Sequence, residues 1–142
     1  MRGINWGRVF LGGIVAGIVV NISEFILNEK VLKSDWEAAM KALNKTMPAG
    51  IAVWIVYGFV VGIAAVWLYA AIRPRYGAGP GTAVKAGIAV WFFMSFLSAV
   101  AMTNMGLFPT NVLTVSCVWE LVQMIIATLI GAWLYKEEGS MA

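Results

Sequence analysis

Two glutamates stand inside long apolar runs, each with an amide close by. Asn21 precedes Glu24 by three residues, and Gln123 follows Glu120 by three. At that spacing a helix presents both side chains of each pair on one face. A protonated carboxyl can donate to an amide oxygen and fix helix register, so the plainest role for Glu120 is structural hydrogen bonding to Asn21 or to an acceptor on another chain. A second role is a proton- or cation-coupled site, because ionisable residues at membrane depth are functional candidates by default. Two carboxylates with two amides also suit a hard cation, although nothing in the pattern is specific for one.

Other chemistry is poorly supplied. The chain has no histidine. That removes the commonest general base, bis-histidine haem ligation and the usual zinc and copper sites. Cys117 is the single cysteine, which excludes an internal disulfide and a CxxC redox pair. Ser95, Ser116 and Cys117 have no histidine to activate them. No catalytic residue, no metal site and no cofactor are expected, and the chain reads as a non-enzyme.

The elements that carry the glutamates are membrane spans. The composition is 61% hydrophobic and only 12% charged, against about 25% charged residues in a soluble domain. Four apolar runs have the length of a span: 9–27, 51–72, 83–102 and 112–135. In lipid each must be helical, because only a helix satisfies its own backbone hydrogen bonds. The expected fold is all-α, a single integral membrane domain over 1–142 with four transmembrane helices in a bundle. Arg2 and Arg8 precede the first run, but no small-residue cleavage site follows, so it reads as an uncleaved span.

The segment between the first two runs predicts a short amphipathic surface helix over about 34–47. Ser34-Asp-Trp-Glu37 has the form of a capping box, and Trp36, Met40, Leu43 and Met47 repeat at helical spacing. Glu37 and Lys41 stand four apart, and Pro48-Ala-Gly50 would end the helix. The basic turn Arg73–Gly81 lacks Walker spacing and reads as a flexible connection.

Polar and small residues mark one face of each span. Gly13, Gly17, Asn21, Glu24 and Asn28 share a face of the first, and Gly58, Gly62, Ala65 and Tyr69 share one of the second. Trp91, Ser95, Ser98 and Met102 do so in the third, and Ser116, Glu120, Gln123 and Ala127 in the fourth. Gly13, Gly17, Gly58 and Gly62 are expected at helix–helix contacts, where small residues admit a close backbone. At a rise of about 1.5 Å per residue, Asn21 and Glu120 reach similar depths, so Asn21, Glu24, Glu120 and Gln123 form the expected polar cluster if the first and fourth helices touch. A weak repeat links Val53-Trp54 and Trp67–Tyr69 with Val118-Trp119 and Trp133–Tyr135, as two parallel helical hairpins would.

Arg2, Arg8, Arg73, Arg75, Lys85 and Lys136 fall on one side of the membrane, and Lys30, Lys33, Lys41 and Lys45 on the other. The excess places both termini in the cytoplasm. Trp6, Trp67, Tyr69, Tyr76, Trp133 and Tyr135 fall near that interface as an aromatic belt would. The layout of Ile4-Asn-Trp6 before the first span, Trp36 in the helix after it, and Gly131-Ala-Trp-Leu-Tyr135 closing the last resembles a loose group of uncharacterised bacterial four-span membrane proteins, a domain of unknown function. That resemblance implies the bacterial inner membrane and carries no active site. The four-span size and Glu24 also resemble small multidrug transporters, although Glu24 lies late in its helix and a second glutamate occupies the fourth. The expected role is a non-catalytic subunit of a homo-oligomer or larger membrane assembly, with a small proton- or cation-coupled transporter as the alternative. Seven tryptophans and eight methionines offer surface to lipids, neighbouring subunits or a hydrophobic ligand. No nucleic-acid partner is expected.

Overall fold

The computed structural model describes residues 3–139; Arg2, counted above among the charges, lies outside them. In chain order the elements are α1 (Trp6–Ile26), a π turn (Leu27–Val31), α2 (Lys33–Ala42), α3 (Ala52–Tyr76), α4 (Pro80–Trp91), a second π turn (Phe92–Phe96), α5 (Leu97–Met105) and α6 (Thr110–Trp133). The described residues contain no strand. Among the described residues, four continuous helical stretches are long and apolar enough to cross a membrane: Trp6–Val31, Ala52–Tyr76, Pro80–Met105 and Thr110–Trp133. Each stretch contains or overlaps a predicted run, and the first and third are lengthened by their π turns.

α1 packs along α3 and α4 along α6, and the two hairpins meet through α1 with α6 and α3 with α4. Small residues decide how closely. A Cβ on Gly13 would lie 2.6 Å from the Cα of Ile63, and one on Gly17 would lie 2.8 Å from the Cα of Phe59. A Cβ on Gly62 would meet the backbone of Gly13 and Gly17, and one on Gly58 would meet the Asn21 side chain. All four glycines therefore stand in the α1–α3 contact. Gly12 and Gly131 approach each other in the same way across α1 and α6.

The start of α1 and the residues just after α6 meet at one end of the bundle, where the Tyr135 hydroxyl accepts from the backbone N–H of Asn5 at 3.3 Å. Tyr69 makes the matching bond, its hydroxyl accepting from the Gly79 N–H at 3.2 Å just before α4. The two tyrosines pack edge to face at 5.9 Å, and the Arg73 guanidinium lies over the Tyr135 ring. Tyr69 and Tyr135 thus leave the expected lipid-facing belt and seal the bundle core, whereas Trp6, Trp67, Tyr76 and Trp133 remain exposed.

That matched pair belongs to a longer register. Buried Val9, Gly12, Gly13 and Ala16 of α1 have the spacing of buried Ala83, Ala86, Gly87 and Val90 of α4. Buried Gly58, Val61, Gly62, Ala65, Val66 and Tyr69 of α3 have that of Met124, Ala127, Thr128, Gly131, Ala132 and Tyr135. The Trp-Leu-Tyr motifs coincide in this register and the Val-Trp motifs do not. Trp54 faces outward, while Trp119 turns in to donate to Ser23.

The helix after the first span differs from its prediction. The capping box does not form: α2 already begins at Lys33, after Leu32 at its N-cap, and no side chain caps it. The π turn explains this, since Leu32 N–H bonds to Leu27 O and Trp36 N–H to Leu32 O, so the chain runs from α1 into α2 almost without a break. The helix stops at Ala42, not near Met47. Asn44 adopts a positive φ of 55° and the Lys45 N–H turns back to Met40 O, a chain reversal that Asn tolerates better than most residues. Glu37 and Lys41 form no ion pair; Lys33 pairs with Glu29 instead, at 3.6 Å.

Candidate functional site

Asn21, Glu24, Glu120 and Gln123 lie in the half of the bundle away from Asn5 and Tyr135. Glu24 is the centre of a bonded chain. Its Oε1 accepts from Gln123 Nε2 at 2.8 Å, across from the fourth span. Its Oε2 accepts from Asn28 Nδ2 at 3.0 Å. Asn28 lies in the first π turn, and the same amide nitrogen also donates to the Glu24 carbonyl. Its Oδ1 accepts the Trp36 indole N–H at 2.9 Å, which ties α2 to the first span. Trp36 in turn packs edge to face on Phe108 of the loop between the third and fourth spans. The wide loop of the π turn is what turns Asn28 toward both partners.

The expected cluster is therefore only partly assembled. Glu24 and Gln123 meet, but Asn21 does not pair with Glu120. Asn21 Nδ2 donates to the carbonyls of Gly17 and Ile55, at 3.0 and 3.1 Å, because the α1–α3 contact draws it toward the second span. Glu120 instead stands near Ser95 of the third span. Beside it the Trp91 indole donates to the Cys117 carbonyl at 2.8 Å. Tyr57 of the second span stands within electrostatic reach of both glutamates.

The third span breaks the expected stripe. Trp91 and Ser95 are half-buried, but Ser98 and Met102 are exposed, and Ala99 takes the inward position instead. The π turn accounts for this: with more residues per turn, it rotates everything beyond it relative to a regular helix. No residue of Phe92–Met105 is buried. This stretch makes almost no contact with the second span, whose Ile51–Tyr57 end is also exposed. Glu120, Ser95 and Tyr57 thus stand at the base of a wedge that opens between the second and third spans.

Among the described residues no group of three or more Cys, Asp or Glu side chains converges as a metal site would require. Three indole bonds had no sequence signal: Trp119 to Ser23 at 2.9 Å, Trp36 to Asn28, and Trp91 to the Cys117 carbonyl. An indole N–H must find a partner when half-buried, but the sequence does not say which. No protein-family model, no curated protein and no solved structure matches the chain.

Proposed function

We propose that the protein is a small, non-catalytic membrane subunit that works in a homo-oligomer or a larger membrane assembly, completed through the wedge between its second and third spans. The observation that carries this reading is the bare outer segment of the third span, Phe92–Met105, with the Glu120 carboxyl half-covered at its base. A carboxyl at the centre of a span costs about 2.5–3.5 kcal/mol on insertion scales unless something partners it. Ser95 stands close enough to be one partner, and a helix from another chain would exclude lipid from the rest. In this reading α2 is an amphipathic helix on the outer membrane surface, and the membrane is the bacterial inner one.

Substitution of Glu120 tests the role. Glu120→Gln keeps the shape and a donor, so the assembly recovered in mild detergent should match wild type. Glu120→Leu suits lipid but cannot bond, and should weaken the assembly by about 0.6–2 kcal/mol, the range for intramembrane hydrogen bonds. Unchanged assembly in both variants would overturn the role given to Glu120. The alternative, a small proton- or cation-coupled transporter, is favoured by one observation: Glu24 and Glu120 stand on two spans near each other, with Gln123 bonded to the first. That reading requires Glu120→Gln to abolish proton-driven uptake in vesicles while stability stays at the wild-type level, because an amide does not titrate.

Orientation follows from the Lys and Arg bias, with both termini cytoplasmic. In a Cys117→Ser background, a cysteine at Asn44 should react with an impermeant maleimide from the periplasm, and one at Ala78 should be spared. The opposite labelling pattern would invert the topology.

A further inference from the structure

The connection between the second and third spans carries charge of one sign only. No acidic residue stands between Glu37 and Glu120, so α3, the turn after it and α4 hold Arg73, Arg75 and Lys85 with no carboxylate of their own. Arg73 finds one elsewhere: its Nε lies 3.9 Å from Glu137, and its guanidinium covers the Tyr135 ring. Arg75 and Lys85 are exposed and pair with no carboxylate among the described residues. Lys85 lies five residues past Pro80, the first of α4, about 7.5 Å along the span. Its ammonium does not stay at that depth. It turns back to the last residue of α3, with Nζ 5.7 Å from the centre of the exposed Tyr76 ring, as a snorkelling lysine does. The ring face attracts the ammonium but does not neutralise it. Beyond Lys85 the same face of the third span is apolar and open: Ile88 and Phe92, three and seven residues on, are 41% and 39% exposed. Between the two helices the turn presents bare backbone, since a Cβ at Gly77, Gly79 or Gly81 would meet nothing within 4 Å.

We propose that this turn holds the head group of an anionic phospholipid, with its phosphate between Arg75 and Lys85 and an acyl chain along Ile88 and Phe92. The order of features along the face selects the ligand. Two unneutralised cations at the interface, followed by apolar side chains running into the membrane, match an amphiphile with an anionic head. A free phosphate would use the cations and leave the apolar stripe unused. A zwitterionic head would bring its own cation back against Arg75 and Lys85, so the anionic lipid is preferred. The position gives the lipid a structural consequence. α3 and α4 connect the two helical hairpins and touch at this end, whereas Phe92–Met105 makes almost no contact with α3. A phosphate bridging Arg75 and Lys85 ties the hairpins together at the closed end of the wedge. Neither the assembly reading nor the role given to Glu120 enters this argument.

The full chain, purified in an uncharged detergent, is titrated with phosphatidylglycerol or with phosphatidylcholine of the same acyl chains, and retained lipid is counted by native mass spectrometry. Wild type should retain the anionic lipid in preference. The double variant Arg75→Gln/Lys85→Gln should keep its melting temperature in lipid-free detergent, since both side chains are exposed. It should lose about 25-fold of that preference, the factor for two cations at roughly 1 kcal/mol each. Lys85→Gln alone should lose about five-fold. Lys41→Gln/Lys45→Gln removes as much charge at the opposite end and should change nothing. Soluble glycerophosphate should not displace the lipid. Four results would each overturn the proposal: no preference for phosphatidylglycerol in wild type, an undiminished preference in the Arg75→Gln/Lys85→Gln and Lys85→Gln proteins, an equal loss in the Lys41→Gln/Lys45→Gln protein, or displacement by glycerophosphate, which would make the ligand a free phosphate.

Discussion

Gly62→Leu should be among the most damaging single substitutions in the chain, more so than any change at the glutamates. A Cβ at position 62 meets the backbone of α1 at Gly13 and Gly17, and neither contact is the movable end of a side chain. Relief requires the two helices to separate along the α1–α3 seam, the most extensive packing surface in the bundle. Overpacking in a well-packed core costs about 1–3 kcal/mol, occasionally more, and a backbone-to-backbone clash belongs at the top of that range. Gly17→Leu should behave similarly, since its Cβ would press on the Phe59 backbone. Val15→Leu, a half-buried position off the seam, is the control. Thermal unfolding in detergent reads the difference. Equal and negligible shifts in all three variants would mean that the seam is not what holds the bundle together.

The seam was legible in the sequence because its signal is local. Gly13 with Gly17 and Gly58 with Gly62 are small residues four apart, and that spacing alone predicts close helix approach. The four spans were legible for the same kind of reason: hydropathy is a property of a window, whatever it packs against. The polar cluster was legible only in part. Placing Glu24 near Gln123 required just that the first and fourth helices touch. Placing Asn21 required knowing that the α1–α3 seam lies beneath it, which turns its amide to the Ile55 carbonyl and away from Glu120. The third-span stripe failed for a different reason. A face assigned with a regular helical period cannot anticipate a π turn, and Phe92–Phe96 carries no residue that announces one. The same blindness misplaced the start of α2. Ser34 and Glu37 have capping-box spacing, but a π turn had already delivered the chain into the helix before they could act.

The Glu24–Gln123 contact should respond to substitution in a way that a generic buried carboxyl would not. Both Glu24 oxygens accept an N–H, one from Gln123 and one from Asn28. Glu24→Gln is nearly isosteric, yet it replaces an acceptor with a donor. The new amide N–H then faces the Asn28 amide nitrogen or the Gln123 amide, and Gln123 can accept it only by turning over, which presents its Oε1 and buries an unpartnered NH2. One buried group is left unmatched, at a cost of about 1–3 kcal/mol. Gln123→Leu should cost a similar amount, since it strips Glu24 of its link to the fourth span. Glu120→Gln, by contrast, stands near the Ser95 hydroxyl, which can rotate to accept as readily as to donate. Two Glu→Gln changes in the same half of the bundle are thus expected to differ, with the loss confined to Glu24. The double variant E24Q/Q123E supplies the sharper test. The introduced amide can donate to the introduced carboxylate while its oxygen still accepts from Asn28, so every donor again meets an acceptor. Melting temperatures of the two single variants and the double variant give the coupling directly, as in a double-mutant cycle. Recovery of most of the Glu24→Gln loss in the double variant is the expected result. Additive losses would show that the bond across the first and fourth spans contributes nothing specific, and that Glu24 is held by Asn28 alone.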